Sequence, residues 1–284
     1  MSPLIFLGAA SGLCWGTADF FGGVQSRRMP ALAVVFWSQV AGATALALLL
    51  LLRGEHPVPS SIAWGAAAGL FGGSALIFFY RGLAVGAMSI VAPVSACGAA
   101  VPVLFAIATG HIPSVVTLVG IGTIMTAIVL VSLHGDASVH PAGRPHLSLA
   151  LALLAALGFG MFYVFAHQGS LGSGGSPFWT IAGARGGSLL TVLAILLVGR
   201  QRASWPAGRM PLVAGVGVAD TTANVLFAYA SIQGNLGVAA VLGSLYPVAT
   251  VLLGRVVLGE RLPALQQLAI VGALAGVALL SIGS

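Results

Sequence analysis

Long apolar segments alternate with short polar stretches along the whole chain. A helix needs about 20 residues to cross the hydrocarbon core of a bilayer, and ten segments come close to that length. The predicted spans cover residues 4–24, 31–52, 62–83, 88–109, 114–133, 147–167, 178–198, 211–232, 236–257 and 264–282. The pattern therefore predicts an all-α membrane protein with ten transmembrane helices.

The apolar positions within these segments do not follow the period of a strand. A membrane β-barrel needs strands of about 10 residues in which apolar and polar side chains alternate, whereas residues 45–52 are continuously apolar. Composition supports the helical alternative, because only 6% of the residues are charged, against about 25% in a soluble domain. So few charges suit an outer surface that faces lipid.

The ten spans divide into two halves of five. Residues 134–146 form a polar loop between them, which predicts a first repeat over residues 1–133 and a second over 147–284. A shift of 149 positions pairs Phe78 with Phe227 and Ser95 with Ser244. Because five is odd, the second half enters the membrane from the opposite side. The pattern predicts two inverted five-helix repeats, an architecture that supports alternating access to a site at the midplane.

Small residues recur at a spacing of four along several spans. Such residues let helix backbones approach closely in lipid, so we expect these positions to be packing surfaces. The stripes are Gly8, Gly12 and Gly16 in the first span, Gly65, Gly69 and Gly73 in the third, and Gly183 and Gly187 in the seventh.

Several short segments are similar to those of a transporter family. They are Trp-Gly-Thr-Ala-Asp-Phe-Phe at 15–21, Tyr-Arg-Gly-Leu-Ala-Val-Gly at 80–86, Val-Ala-Pro-Val-Ser at 91–95, Leu-Tyr-Pro-Val at 245–248 and Leu-Gly-Glu-Arg-Leu at 258–262. Together they resemble the paired EamA domains of the drug/metabolite transporter superfamily. The resemblance implies a ten-helix bundle whose central cavity is formed by the first four helices of each repeat. It also implies a substrate among amino acids, nucleobases, sugars, drugs and other metabolites.

One segment departs from the pattern of that family. The first repeat has Gly-His-Ile at 110–112 where the second has Gly-Glu-Arg at 259–261. A structural role for the Glu-Arg pair at this helix end is therefore not shared by the two repeats.

Three charged residues lie inside predicted spans and away from their ends, where each costs at least about 2.5–3.5 kcal/mol on insertion scales. Arg185 and Asp220 fall on neighbouring antiparallel spans within reach of each other, which predicts a charge pair that either binds substrate or is purely structural. Asp19 is a candidate for binding a cationic group or a proton. The alternative for Asp19 is an interfacial carboxylate that faces the loop at Arg27 and Arg28.

The remaining candidates for the substrate pathway are polar or aromatic side chains within spans. Hydroxyls and amides in spans more often bridge helices than contact a substrate. The candidates are Trp15, Gln39, Tyr80, Ser95, Asn224, Ser244 and Tyr246, and candidate hinges at bends of the fourth and ninth spans are Pro93, Pro102 and Pro247. The central loop carries His134, Asp136, His140 and His146. Their spacing matches no established metal site, so we expect a solvated linker, with neither a metal nor a cofactor.

The function that fits this pattern is secondary transport of a small metabolite, such as an amino acid or a related solute, by an exporter or exchanger. The chain contains no Lys and therefore no P-loop, and its dispersed Arg residues do not form a nucleic-acid footprint. A channel-like facilitator and a membrane-embedded enzyme remain alternatives, although the expected catalytic set is missing. We expect a multi-pass protein of the cell inner (plasma) membrane, a monomer or homodimer, with protons as a candidate coupling ion.

The Arg residues are distributed unequally between the two ends of the predicted bundle. Positively charged short loops stay in the cytoplasm, so the Arg-rich end should be cytoplasmic and both termini should face out. The resemblance instead implies cytoplasmic termini. Only Arg53 lies at the terminal end, whereas nine lie at or near the other: Arg27, Arg28, Arg81, Arg144, Arg200, Arg202, Arg209, Arg255 and Arg261.

A fluorescent protein that matures only in the cytoplasm separates these two orientations. Fused to Ser284, it is expected to stay dark, because the charge bias places the carboxyl terminus outside. Cell fluorescence at matched expression is the measurement. Bright cells would show that the charge argument is wrong.

Overall fold

The structure, a computed structural model, describes residues 2–26, 28–85, 91, 94–132, 145–171, 174–259 and 263–283. Within these ranges the chain forms helices and turns, without any strand. The helices are α1 (Pro3–Ser26), α2 (Ala31–Arg53), α3 (Pro59–Val85), α4 (Ala100–Ala108), α5 (Val115–Ser132), α6 (Pro145–Ser170), α7 (Pro177–Val198), α8 (Met210–Ile232), α9 (Leu236–Gly243), α10 (Tyr246–Leu258) and α11 (Ala264–Gly283). A 3-10 turn over Cys97–Ala99 precedes α4.

The predicted all-helical, multi-span architecture is confirmed. Within the described ranges, eight segments are helical, long enough and apolar enough to cross a membrane. Leu236–Leu258 counts as one of them although it is divided between α9 and α10. The described parts of the predicted fourth and fifth spans are shorter apolar helices, Val94–Ala108 and Val115–Leu130. Helix α3 is longer than predicted, since it covers Pro59–Val85 where the pattern gave 62–83.

Large apolar side chains cover the outside of the bundle. Leu52 is 86% exposed, Val256 79% and Leu274 67%. A soluble monomer rarely exposes so much contiguous apolar surface, whereas lipid tolerates it. The exposed apolar surface therefore agrees with a bundle surrounded by a bilayer.

Local sequence explains where several helices begin and end. The side chains of Ser176 and Asn235 cap α7 and α9 by accepting hydrogen bonds from the backbone N–H groups of Trp179 and Val238, three residues ahead. Gly259 ends α10 in the left-handed conformation, with φ 69°, which glycine adopts without steric cost.

Both halves contain a helix break at the same place. Helix α9 ends at Gly243, and α10 begins with Pro247 at its second position. Proline has no N–H to offer the carbonyl of Gly243, so the helix cannot continue unbroken. In the first half, the 3-10 turn stands just before Pro102, the third residue of α4. The predicted bends at Pro102 and Pro247 thus coincide with observed breaks. Pro93 lies outside the described residues. A hinge function of these prolines stays a prediction.

Each main helix contact between the two halves has a counterpart in which the equivalent helices of the two halves are interchanged. Helix α1 packs on α8 as α3 packs on α6, and α2 packs on α8 as α3 packs on α7. Equivalent helices run antiparallel: at the α5–α11 contact, Thr117 lies near Gly283, while Ile124, further along α5, lies near Gly276, earlier in α11. The equivalent helices α5 and α11 therefore run antiparallel to each other.

Glycine allows α3 and α7 to approach backbone to backbone. A Cβ at Gly65 or Gly69 would collide with the carbonyl oxygens of Thr180 and Ala184. A Cβ at Gly187 would likewise collide with a backbone oxygen of α3. The predicted packing role of these glycine stripes is confirmed, because no side chain fits between the two helices.

Adjacent glycines of α7 provide a matched test of this contact. Gly187→Ala places a methyl group against the carbonyl oxygen of Ala66, whereas Gly186 has nothing within 4 Å of its Cβ position. We expect Gly187→Ala to lower the free energy of unfolding by about 1–3 kcal/mol, the typical cost of overpacking. Gly186→Ala should leave it unchanged or slightly raised, because Ala is the better helix former.

Denaturant unfolding of both variants in detergent, beside the parent protein, is the measurement. Equal stability of the two variants would contradict the contact.

Candidate functional site

A cavity of about 170 Å³ lies between the two halves of the bundle. Its walls come from α1, α2, α3, α6, α7 and α8, together with residues 95–99 and the break between α9 and α10. Helices of both halves therefore line one shared cavity.

Nine of the ten predicted pathway residues line this cavity. The tenth, Tyr80, belongs to α3, but its side chain lies outside the described part of the structure. Substrate contact by any of these residues stays a prediction, although the structure brings them together around one space. The nine are Trp15, Asp19, Gln39, Ser95, Arg185, Asp220, Asn224, Ser244 and Tyr246.

The predicted charge pair between Arg185 and Asp220 is confirmed. Arg185 Nη1 lies 2.6 Å from Asp220 Oδ2, and it also donates a hydrogen bond to Gln39 Oε1 at 2.6 Å. The Arg185 side chain is 7% exposed, whereas that of Asp220 is 31% exposed. A guanidinium that is always charged is thereby held within the membrane by two acceptors.

Asn224 orients the carboxylate of this pair. Its Nδ2 donates to the backbone oxygen of Asp220, one turn earlier in α8, and to Asp220 Oδ1 at 3.3 Å. The predicted polar stripe along α8 is thus present and faces the cavity. The stripe fixes Asp220 on the side from which Arg185 approaches.

Asp19 also lines the cavity but stands apart from the charge pair. Its side chain is exposed, and among the described residues no group donates a hydrogen bond or forms an ion pair to it. Asp19 lies seven residues before the end of α1 at Ser26, roughly 10 Å along the helix. It therefore lies well inside the span. Of the two arginines in the loop that it was expected to face, Arg27 is outside the described residues and Arg28 forms no ion pair with Asp19 in the described structure.

Aromatic side chains form much of the remaining wall. The ring centroids of Trp15 and Tyr163 are 5.8 Å apart, and the Tyr163 hydroxyl lies 3.4 Å from Ser244 Oγ. The sequence prediction missed Phe159, Phe162 and Tyr163 of α6, all three of which line the cavity. Their spacing of three and four places them on one helix face, which was the available signal.

The end of the bundle that carries both termini is closed by packed side chains. Ile5 of α1 and Leu242 of α9 are fully buried in the main apolar cluster. A Cβ at Gly8 would lie 2.9 Å from the Cβ of Leu242. On α1 the cavity begins only at Trp15, beyond this layer. We refer to this packed layer of α1 and α9 as the terminal seal.

The described residues contain no group of three or more His, Cys, Asp or Glu side chains placed to hold a metal ion. His134, Asp136 and His140 of the central loop lie outside the described residues. The expectation of a solvated linker there stays a prediction.

Comparison with known proteins gives a family match over most of the chain. The sequence model of the EamA-like transporter family matches residues 2–133 and 146–282. Among solved structures, one described only as "Crystal structure of protein" is similar with a TM-score of 0.77 at 18% identity, covering 100% of this chain and 99% of the other. At that identity the similarity shows the fold alone. No curated protein matches the sequence significantly.

Removing the guanidinium tests the charge pair. Arg185→Ala should lower the free energy of unfolding by about 3 kcal/mol, the lower end of the cost of breaking a buried pair, because Asp220 is 31% exposed. Transport should be lost with it. Adding Asp220→Asn should restore part of the stability, because no carboxylate then lacks its partner.

Denaturant unfolding and transport by the single and double variants are the measurements. Arg53→Ala is the control, since Arg53 pairs with Glu55 at the surface and exposed pairs contribute little. The charge pair is unimportant if both single variants and the double variant match the parent protein.

Proposed function

Because the chain belongs to the EamA-like transporter family, we propose that it is a secondary transporter of a small metabolite, such as an amino acid or a related solute. We propose export or exchange as its mode of action and the cell inner membrane as its location. The observation that carries the proposal is the cavity between the two halves, which is lined by charged as well as apolar side chains and is closed at one end by the terminal seal.

Ten crossings in two inverted repeats are part of the proposal. The eight long spans and the two shorter apolar helices support that count. The antiparallel course of equivalent helices supports the inversion: Gln39 of α2 contacts Arg185 of α7, while Leu46, further along α2, belongs to the same apolar cluster as Ile181, earlier in α7. Inverted repeats can exchange conformations and so open a shared site to each side in turn.

The size of the cavity favours a small solute. A volume of about 170 Å³ is smaller than the roughly 300–1,000 Å³ of pockets that bind drug-sized ligands. An amino acid or a compound of similar size is therefore a better fit than a large drug.

Two observations weigh against the alternatives. A channel needs a path through the whole bundle, but the terminal seal closes one end with fully buried side chains such as Ile5 and Leu242. An enzyme needs a nucleophile beside a base, and among the described residues that line the cavity neither Asp19 nor Asp220 has a histidine neighbour. Asp19 and Asp220 remain candidates for carrying a coupled proton.

Counterflow in vesicles tests the proposed function. The purified protein is reconstituted into vesicles loaded with unlabelled amino acids, amines, nucleobases or sugars, one class at a time, and uptake of a labelled member of each class is measured. For one class, we expect saturable uptake that is stimulated by the internal solute, because the binding site of a carrier reorients across the membrane faster when solute is bound than when it is empty.

Vesicles without protein give the background leak. Uptake that rises linearly with concentration and ignores the internal solute would point to a channel-like facilitator. Chemical conversion of the labelled solute would point to an enzyme.

A further inference from the structure

The cavity contains more negative than positive charge. Among the described residues that line it, two carboxylates, Asp19 and Asp220, face one guanidinium, that of Arg185. One carboxylate is therefore left without a charged protein partner, in a membrane interior where an unpaired charge is costly.

Arg185 is not available to neutralise Asp19. Its Nη1 already contacts both Asp220 and Gln39, and its Nε is buried and has no hydrogen-bond partner among the described residues. With 7% of its side chain exposed, Arg185 also offers little surface to an anionic ligand. The guanidinium of Arg185 is thus already paired with protein groups, whereas Asp19 is open to the cavity.

The wall beside Asp19 suits an organic cation. Trp15 lies one turn before Asp19 on the same face of α1, and Phe162, Tyr163 and Tyr246 add further rings around the same space. Aromatic faces attract cations, and Trp does so most strongly. A carboxylate beside aromatic rings is the combination that recognises an alkylammonium group.

We propose that the transported solute carries a net positive charge on an ammonium group, which pairs with Asp19 and packs against Trp15. The proposal rests on the proposed transport function and names the substrate class of the same cavity. A zwitterionic amino acid fits less well, because its carboxylate would need a free cation in the wall. An amine of similar size, without the carboxylate, leaves the cavity neutral.

A series of probes with one carbon chain and different charges tests the proposal. Binding of butylammonium, butan-1-ol, butyrate and zwitterionic 2-aminobutyrate to the purified full-length protein is measured by calorimetry in detergent. We expect butylammonium to bind at least tenfold more tightly than each of the other three. Equal binding of butan-1-ol, or tighter binding of butyrate or 2-aminobutyrate, would overturn the proposal.

Variants assign the effect to Asp19. Asp19→Asn keeps the shape of the side chain and removes its charge, so we expect at least a tenfold loss of butylammonium affinity. Trp15→Leu should weaken binding about threefold, from loss of the ring contact. Glu55→Gln is the matched control, because Glu55 lies outside the cavity and is paired with Arg53. The butylammonium affinity of this variant should equal that of the parent protein.

Unchanged butylammonium affinity in Asp19→Asn would overturn the assignment. The probe series on the parent protein decides the charge preference even if a variant fails to fold.

The binding experiment and the counterflow experiment test the two proposals independently of each other. If vesicles show counterflow of a zwitterion or a neutral solute and the probe series shows no preference for butylammonium, this inference is wrong and the transport function stands. If butylammonium binds in an Asp19-dependent way but no solute class shows counterflow, the cation site stands and the transport function is wrong.

Discussion

Close backbone contact between helices of different halves is the constraint on which the rest of the structure depends. Glycines bring α3 onto α7, and in the corresponding contact Gly42 of α2 packs against Gly217 and Thr221 of α8. Gln39 lies one turn before Gly42, and Asp220 lies next to Thr221. The same close approach that replaces side-chain packing in lipid therefore places the acceptors of Arg185 within hydrogen-bond distance.

The charges in the cavity follow from this arrangement. A guanidinium buried in the membrane needs acceptors. Gln39 supplies one from α2 of the first half, and Asp220 supplies the other from α8 of the same half as α7. The pair contributes no net charge, so the electrostatic character of the cavity is set by Asp19. The hydrogen bond from Arg185 to Gln39 thus joins the halves, while Asp19 is left to contact a solute that enters between them.

The sequence predicted the spans, the glycine contacts and the Arg185–Asp220 pair because each depends on local spacing or on a rare charge. It did not predict that aromatic side chains of α6 line the cavity. In a membrane helix, the faces that meet lipid and the faces that meet protein are both apolar, so amphipathicity does not mark the inner face. Phe159 and Phe162 line the cavity, whereas Leu153 and Leu157 of the same helix are exposed, and only tertiary packing separates them.

The first helix of each half packs at a glycine against the interrupted helix region of the other half. Gly12 of α1 packs against the backbone of Gly243, and Gly160 of α6 packs in the same manner against the backbone of Gly98. Past these crossings, α1 continues into the terminal seal on α9, and Ala152, earlier in α6, accepts a hydrogen bond from Ser95 Oγ at 3.5 Å. Each crossing therefore holds the first helix of one half against the interrupted helix region of the other half.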